Sequence, residues 1–267
     1  MKLATQDKPF FPDRIEEKLL YIKDLGFDAF EIDGALLVNR FDEVKAAVNS
    51  TGVTVSGVCG GYKGWIGDFD ENKRLQAVAD ISRILECASM IGAKGIVVPA
   101  AWGMFSLRLP PMVPPRSAEE DRRALMDSLA RLEKVAGKTG TLVYLEPLNR
   151  YEDHMINTVE TARDIISAGG FENVKITADF FHMNIEEASI AQTILENRKL
   201  IGHIHLADSH RYQPGSAHMD FINGFKALAE IGYEGYMAFE CRVLGENPGA
   251  EYRKSVEYIK ECIVKAR

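Results

Sequence analysis

The sequence predicts an α/β fold, a single (β/α)8 barrel spanning residues 1–267, on three observations. Strand-like and helix-like segments alternate eight times, and 267 residues shared among eight units is about 33 per unit, the usual size in such a barrel. No GxGxxG or GxxxxGK turn follows an early strand, as the rival open doubly wound sheet would usually carry. No linker or break in composition marks a second domain.

The elements follow in order. KLAT opens the chain as the first strand, and an apolar stripe at Ile15, Leu19, Leu20, Ile22 and Leu25 predicts a helix closed by Gly26. FDAFEID is the second strand, followed by a helix from Phe41 to Val48 that stops near Gly52. TVSGVCGG is the third strand, with a long helix from Glu71 to Ile91. KGIVVPA is the fourth, then a Pro-rich loop from Leu109 to Pro115 and a helix from Ala118 to Lys138. Strands five to eight are LVYLE, KITAD, IGHIH and YMAFE, with helices beginning near Thr158, Glu186, Asp220 and Ala250. The pairs Leu25-Gly26, Ile91-Gly92 and Ile231-Gly232 repeat one signal for ending a helix.

Composition narrows the function. Hydrophobic residues make up 46% and charged residues 27%, an ordinary globular balance. A net charge of −7 without a dense Lys/Arg run argues against nucleic acid as a partner. Cys59, Cys87, Cys241 and Cys262 show no paired spacing, which predicts reduced thiols and a cytoplasmic protein. The first residues lack the apolar core of a signal peptide, and no apolar run approaches the roughly 20 residues that span a membrane, so no membrane association is expected.

The chemistry is concentrated in the second half. Strands five to eight run directly into Glu146, Asp179, His205 and Glu240, separated by 33, 26 and 35 residues. Parallel strands joined by crossover helices present their carboxyl ends on one face. One such carboxylate is ordinarily a helix cap or a solvated group; four at corresponding places in successive units point to a site. Three oxygen ligands and one imidazole suit a hard divalent cation better than a thiolate-rich zinc site does.

With these residues in place, the sequence resembles the xylose isomerase-like TIM barrels, and among them the D-tagatose, D-psicose and L-ribulose 3-epimerases. The likeness runs over essentially the whole chain and is most specific from Leu145 to Glu240. It implies one divalent ion (Mn²⁺ first, with Mg²⁺, Co²⁺ and Zn²⁺ as alternatives) on Glu146, Asp179, His205 and Glu240. It implies substrate contacts from Glu152 in EPLNRYE, His182 in DFFH and Arg211 in HLADSHR. A homo-oligomer, dimer or tetramer, and a small sugar or sugar-derived keto compound as substrate are further implications.

The implied reaction is 3-epimerisation of a ketose. A metal chelated by the ketone oxygen and a neighbouring hydroxyl stabilises the charge of a cis-enediolate. Glu146 and Glu240 then act as the acid/base pair, one removing a proton and the other returning one. His182 and Arg211 hold substrate oxygens. The plain alternatives are a satisfied core histidine for His182 and an ion pair with Asp208 for Arg211. His203, two residues before His205, faces the same side of its strand as a supporting or deeper barrel residue. His218 is placed on a loop that helps close the site, His154 and His210 on solvated loops. Trp65 and Trp102 are candidates for a pocket wall or for core packing.

Arg242, two residues past Glu240, departs from the epimerase pattern, where an apolar or aromatic residue is usual. A guanidinium there suits an acidic substrate, unless it pairs with Asp208. Related activities remain open: an aldose–ketose isomerase resembling hydroxypyruvate isomerase, or a lyase resembling inosose dehydratase. With no histidine before His154, the early-strand histidines of endonuclease IV and of two-metal xylose isomerases are missing. A non-catalytic binding protein is disfavoured by the paired glutamates.

Overall fold

The computed structural model describes residues 1–107 and 112–267, so positions 109–111 of the expected Pro-rich loop lie outside the described residues. The chain begins with β1 (Lys2–Thr5), α1 (Ile15–Asp24), β2 (Ala29–Ile32), α2 (Gly34–Asn39), α3 (Phe41–Thr51) and β3 (Thr54–Cys59). It continues through α4 (Glu71–Met90), β4 (Gly95–Pro99), α5 (Ala118–Thr139), β5 (Leu142–Glu146), α6 (Val159–Gly169) and β6 (Val174–Asp179). The last quarter holds α7 (Phe180–Glu186), α8 (Ile190–Glu196), β7 (Ile201–Leu206), α9 (Phe221–Glu230), β8 (Tyr236–Phe239) and α10 (Pro248–Ala266). The strands pair in parallel in sequence order and β8 closes on β1, giving the expected (β/α)8 barrel.

Local chemistry explains the helix starts. Asp33, Asp70, Ser117, Thr158, Ser189, Asp220 and Asn247 each accept a backbone N–H in the first turn of the helix that follows. Ser117 and Glu120 form a reciprocal capping box. Gly26, Gly92 and Gly232 sit at φ 96°, 77° and 69°, so the repeated Leu/Ile-Gly signal does end helices in the left-handed region.

Three expectations are corrected. Leu20 is 49% exposed, so the stripe that buries α1 is Ile15, Leu19 and Ile22, continued by Leu25. A short helix, α2, precedes the one expected at Phe41, because Asp33 caps it immediately after β2. The helix placed near Glu186 is two helices, of which α7 starts at Phe180. Asp179 is its cap, with Oδ1 accepting from Phe181 N at 2.7 Å.

The hydrophobic core fills the layer between strands and helices with residues such as Ile22, Phe30, Ile84, Leu129, Phe180 and Ile259. The barrel interior follows the period of two along each strand. Ala4, Ala29 and Ala238 form a small apolar layer. Above it lie Glu31, Tyr144, Thr177 and His203, with the His203 ring stacked on Tyr144 at 5.2 Å. Two residues past Tyr144, Thr177 and His203 come Glu146, Asp179 and His205, and Glu240 comes two residues past Ala238. This order places the four residues at the carboxyl-terminal mouth of the barrel.

Candidate metal and substrate site

The four strand-end residues converge as their spacing implied. One ligating atom from each of Glu146, Asp179, His205 and Glu240 lies within 4.8 Å of the others. His205 Nδ1 is 2.6 Å from Glu240 Oε2, 3.0 Å from Glu146 Oε1 and 3.8 Å from Asp179 Oδ2. Asp179 divides its carboxylate: Oδ1 caps α7, while Oδ2 faces the cluster and accepts from Arg211 Nη1 at 2.5 Å. Arg211 Nη2 is 2.7 Å from Glu240 Oε2, and the guanidinium lies over the Phe181 ring at 4.7 Å.

The donor set fits a divalent cation. With the imidazole neutral, as a metal ligand must be, three largely buried carboxylates face one guanidinium and leave two negative charges without compensation, and buried unpaired charge costs several kcal/mol per ion. Glu240 Oε2 is buried without a hydrogen bond of proper geometry, although His205 and Arg211 approach it. Against burial, which alone would lower it, Glu240, Glu31 and Glu146 hold the His205 imidazole well above its ordinary pKa. The cage attracts a proton where a cation's charge belongs.

The protein's own charges also separate the two glutamates. Burial, reinforced by Glu240 and Asp179, pushes Glu146 up to about 7. Against the same burial, Arg211 and His205 hold Glu240 well below the usual carboxylate range.

Arg211 owes its position to an uncommon backbone. Its φ of 64° is the only positive value at a non-glycine among the described residues. Asp208 supports that turn: Oδ1 accepts from Ser209 and Met219, and Oδ2 from Gly215 and Ala217, at 2.8–3.1 Å. Against burial, these four donors hold Asp208 below its usual pKa. Asp208 therefore pairs with neither Arg211 nor Arg242, unlike the sequence-based alternatives.

His182 Nδ1 accepts from the Asn149 backbone N–H at 3.1 Å, which leaves Nε2 as the protonated nitrogen, 3.8 Å from Asp179 Oδ2. Burial lowers the His182 pKa, so the ring is a neutral donor. Glu152 is fixed at both oxygens, by Asn149 Nδ2 at 2.9 Å and by the Trp102 indole N–H at 2.8 Å. A cavity of about 560 Å³ opens above these groups. Glu146, Glu240, His182, Glu152 and Arg211 line it on one side, Tyr62, Trp65, Trp102 and Tyr151 give it aromatic walls, and Arg242 lines it too. The Arg242 guanidinium has no ion-pair partner among the described residues.

The remaining histidines separate clearly. His218 is exposed, bonded to Ser209 Oγ at 2.9 Å, and is not among the cavity-lining residues. His210 is exposed as expected. His154 is not solvated: its side chain is buried, 3.0 Å from Asp121 and 3.6 Å from Asp153. Two residues escaped sequence reasoning. Asn149 links His182 to Glu152 and has no motif signal. Glu31 is fully buried between His203 and His205, with Nε2 of each ring 2.6 and 3.0 Å away. A single charge in the apolar strand AFEI was its available signal, because a charge on a buried strand must be paired.

Barrel, strand-end carboxylates and cavity together define a sugar-isomerase type of site. The family profile described as xylose isomerase-like TIM barrel matches residues 19–262, and the chain belongs to that family. It is 55% identical over 262 residues to the 3-dehydro-D-guloside 4-epimerase of Escherichia coli (strain K12), covering 98% of this chain and 100% of that protein. The crystal structure of 3-keto-D-glucoside 4-epimerase from E. coli superposes with a TM-score of 0.96, covering 98% of this chain and 100% of that one at 55% identity. The D-psicose 3-epimerase of Ruminiclostridium cellulolyticum is 29% identical over 224 residues, 82% of this chain and 75% of that protein.

Proposed function

We propose that this chain is a divalent-metal-dependent sugar epimerase that inverts the carbon beside a ketone, with a 3-dehydro-hexoside epimerised at C4 as its foremost substrate. A 3-ketoguloside and a 3-ketoglucoside differ at C4, so both names carried by the 55%-identical relative describe one inversion. The ketose 3-epimerase expected from sequence performs the same event one carbon along: a proton leaves the carbon next to a carbonyl and another returns from the opposite face. The observation that carries the reading is the convergence of Glu146 and Glu240, from strands three places apart in the ring, on the same nitrogen of His205.

Glu146, Asp179, His205 and Glu240 would hold a divalent ion, Mn²⁺ foremost, which would supply positive charge for the oxygen that turns negative when the C–H proton leaves. Glu146 and Glu240, reaching the same nitrogen of His205 from β5 and β8, act as the acid/base pair, one accepting the proton and the other returning one. In the reverse direction the roles exchange. His182 donates through Nε2 and Arg211 through its guanidinium to substrate oxygens, and Glu152 accepts from a substrate hydroxyl. Arg242, unpaired and lining the cavity, binds the part of the substrate remote from the reacting carbon, where an acidic group would be favoured.

Proton NMR in D₂O tests the reading. With Mn²⁺, a 3-dehydro-glucoside should acquire deuterium at C4 as its C4 epimer appears. Deuterium at C3 of a 2-ketose would make the ketose 3-epimerase the better description. Exchange at a C1–C2 centre, or a dehydrated product, would replace epimerisation with the isomerase or lyase reading. No exchange into any keto sugar, with any of Mn²⁺, Mg²⁺, Co²⁺ or Zn²⁺, would overturn it. A cytoplasmic location accords with four cysteines outside any disulfide, and a homo-oligomer, dimer or tetramer, rests on the family likeness. No helix among the described residues is long and apolar enough to cross a membrane.

A further inference from the structure

We propose that Glu31 is the positioning residue of the metal centre: it grips His205 through Nε2–H and so presents Nδ1 as the ligating lone pair. This inference rests on the metal-cage reading above, and it adds a fifth strand, β2, to a centre otherwise built from β5 to β8.

The argument is one of hydrogen-bond inventory. A neutral imidazole has one donor nitrogen and one acceptor nitrogen, and the partner of the first decides which is which. His205 Nδ1 faces Glu146, Asp179 and Glu240, whereas Nε2 faces Glu31 Oε2 at 3.0 Å. A carboxylate accepts and cannot donate: where a cation takes the Nδ1 lone pair in place of a proton, the neutral ring keeps its one proton on Nε2, and Glu31 is the acceptor that holds it there. The χ2 torsion of a histidine is broad, so a ring without this second anchor can turn its nitrogen away from the cage. A carboxylate behind a ligating histidine also raises the basicity of the ligating nitrogen.

Glu31 is itself immobilised. Its Oε1 is 2.6 Å from His203 Nε2, and its Oε2 accepts from Gln6 Nε2 at 3.0 Å as well as from His205. The His203 ring is held in turn by stacking on Tyr144. The carboxylate thus spans two imidazoles with one oxygen each. Glutamine cannot reproduce this, because its single carbonyl oxygen serves one ring while its NH₂ group opposes the N–H of the other.

The test compares wild type with Glu31→Gln, measuring Mn²⁺ affinity by competition with a chromogenic chelator and folding by circular dichroism and metal-free Tm. The expected result is a Kd weakened roughly 10- to 100-fold in a folded variant. A merely structural role would lower the metal-free Tm and leave Kd unchanged, which would overturn the proposal. Should the variant not fold, long-range ¹⁵N–¹H correlation of Mg²⁺-loaded wild type decides. Proton on Nε2 of His205 and bare Nδ1 support the role; a proton on Nδ1 overturns it. Wild type that binds no divalent ion at all would instead remove the cage reading itself, a failure distinct from an unchanged Kd in Glu31→Gln.

Discussion

Arg211, on the loop after β7, reaches Asp179 at the end of the neighbouring β6, Nη1 to Oδ2 at 2.5 Å, from a backbone held at φ 64°. A non-glycine residue in that region costs of order 1–3 kcal/mol, and such strain collects where geometry matters more than stability. Asp208 offsets it with four backbone hydrogen bonds to a charged acceptor, each worth about 1.5–3 kcal/mol. Asp208→Asn should therefore lower kcat through a misplaced Arg211. Arg211→Lys should lose more, because a single ammonium cannot serve Asp179 and Glu240 together. Steady-state kinetics of both variants check the order; an Asp208→Asn enzyme with wild-type kcat would separate the loop from the chemistry.

Glu146 and Glu240 should fail differently when changed to glutamine. Each substitution removes one proton carrier, and general acid–base groups contribute roughly 100- to 10,000-fold. The variant that keeps the glutamate acting on a given epimer should still wash deuterium into that epimer without inverting it. Glu146→Gln and Glu240→Gln should thus exchange opposite epimers, as followed by NMR. Loss of exchange with both epimers in either variant would assign both proton transfers to one residue.

Metal should stabilise the fold as well as activate it. Three carboxylates around His205 repel one another through a low-dielectric mouth, so a divalent ion binds the native state far better than the unfolded chain. EDTA treatment should lower Tm, and Mn²⁺ should restore it with saturating dependence on concentration. Asp179→Asn should abolish the Mn²⁺-induced rise. A Tm indifferent to EDTA would count against the cage.

The barrel and the convergence of its four strand-end residues are legible because period-two strands each run into one polar residue, and a closed sheet can bring those ends together only at one mouth. Asp179 is legible as a member of the strand-end cluster but not as the residue that starts α7, since both tasks call for the same residue type. Glu31 and Asn149 were hidden because their partners come from β7 and α7, far away in sequence. His154 was misread as solvated because DHM looks like loop composition; only the packing of Phe69 and Phe105 around its ring reveals a buried residue.

That buried histidine gives a pH prediction. His154 ties the loop after β5 to Asp121 on α5, while Arg116, which bonds Asp121 at 2.5 Å, reaches back to Gly67 and Asp68 after β3. The loops so joined also carry Trp65, Tyr151 and Glu152 of the cavity wall. Against burial, Asp153 and Asp121 hold His154 above its ordinary pKa. A group whose folded pKa is raised contributes stability that is fully present below its unfolded pKa, near 6.5, and lost as pH rises through the folded value. The Tm gap between wild type and His154→Asn should accordingly be wide below about pH 6.5 and narrow as the pH is raised above it. A gap that widened with pH would mean that His154 is held neutral, and that its two carboxylate neighbours do not govern it.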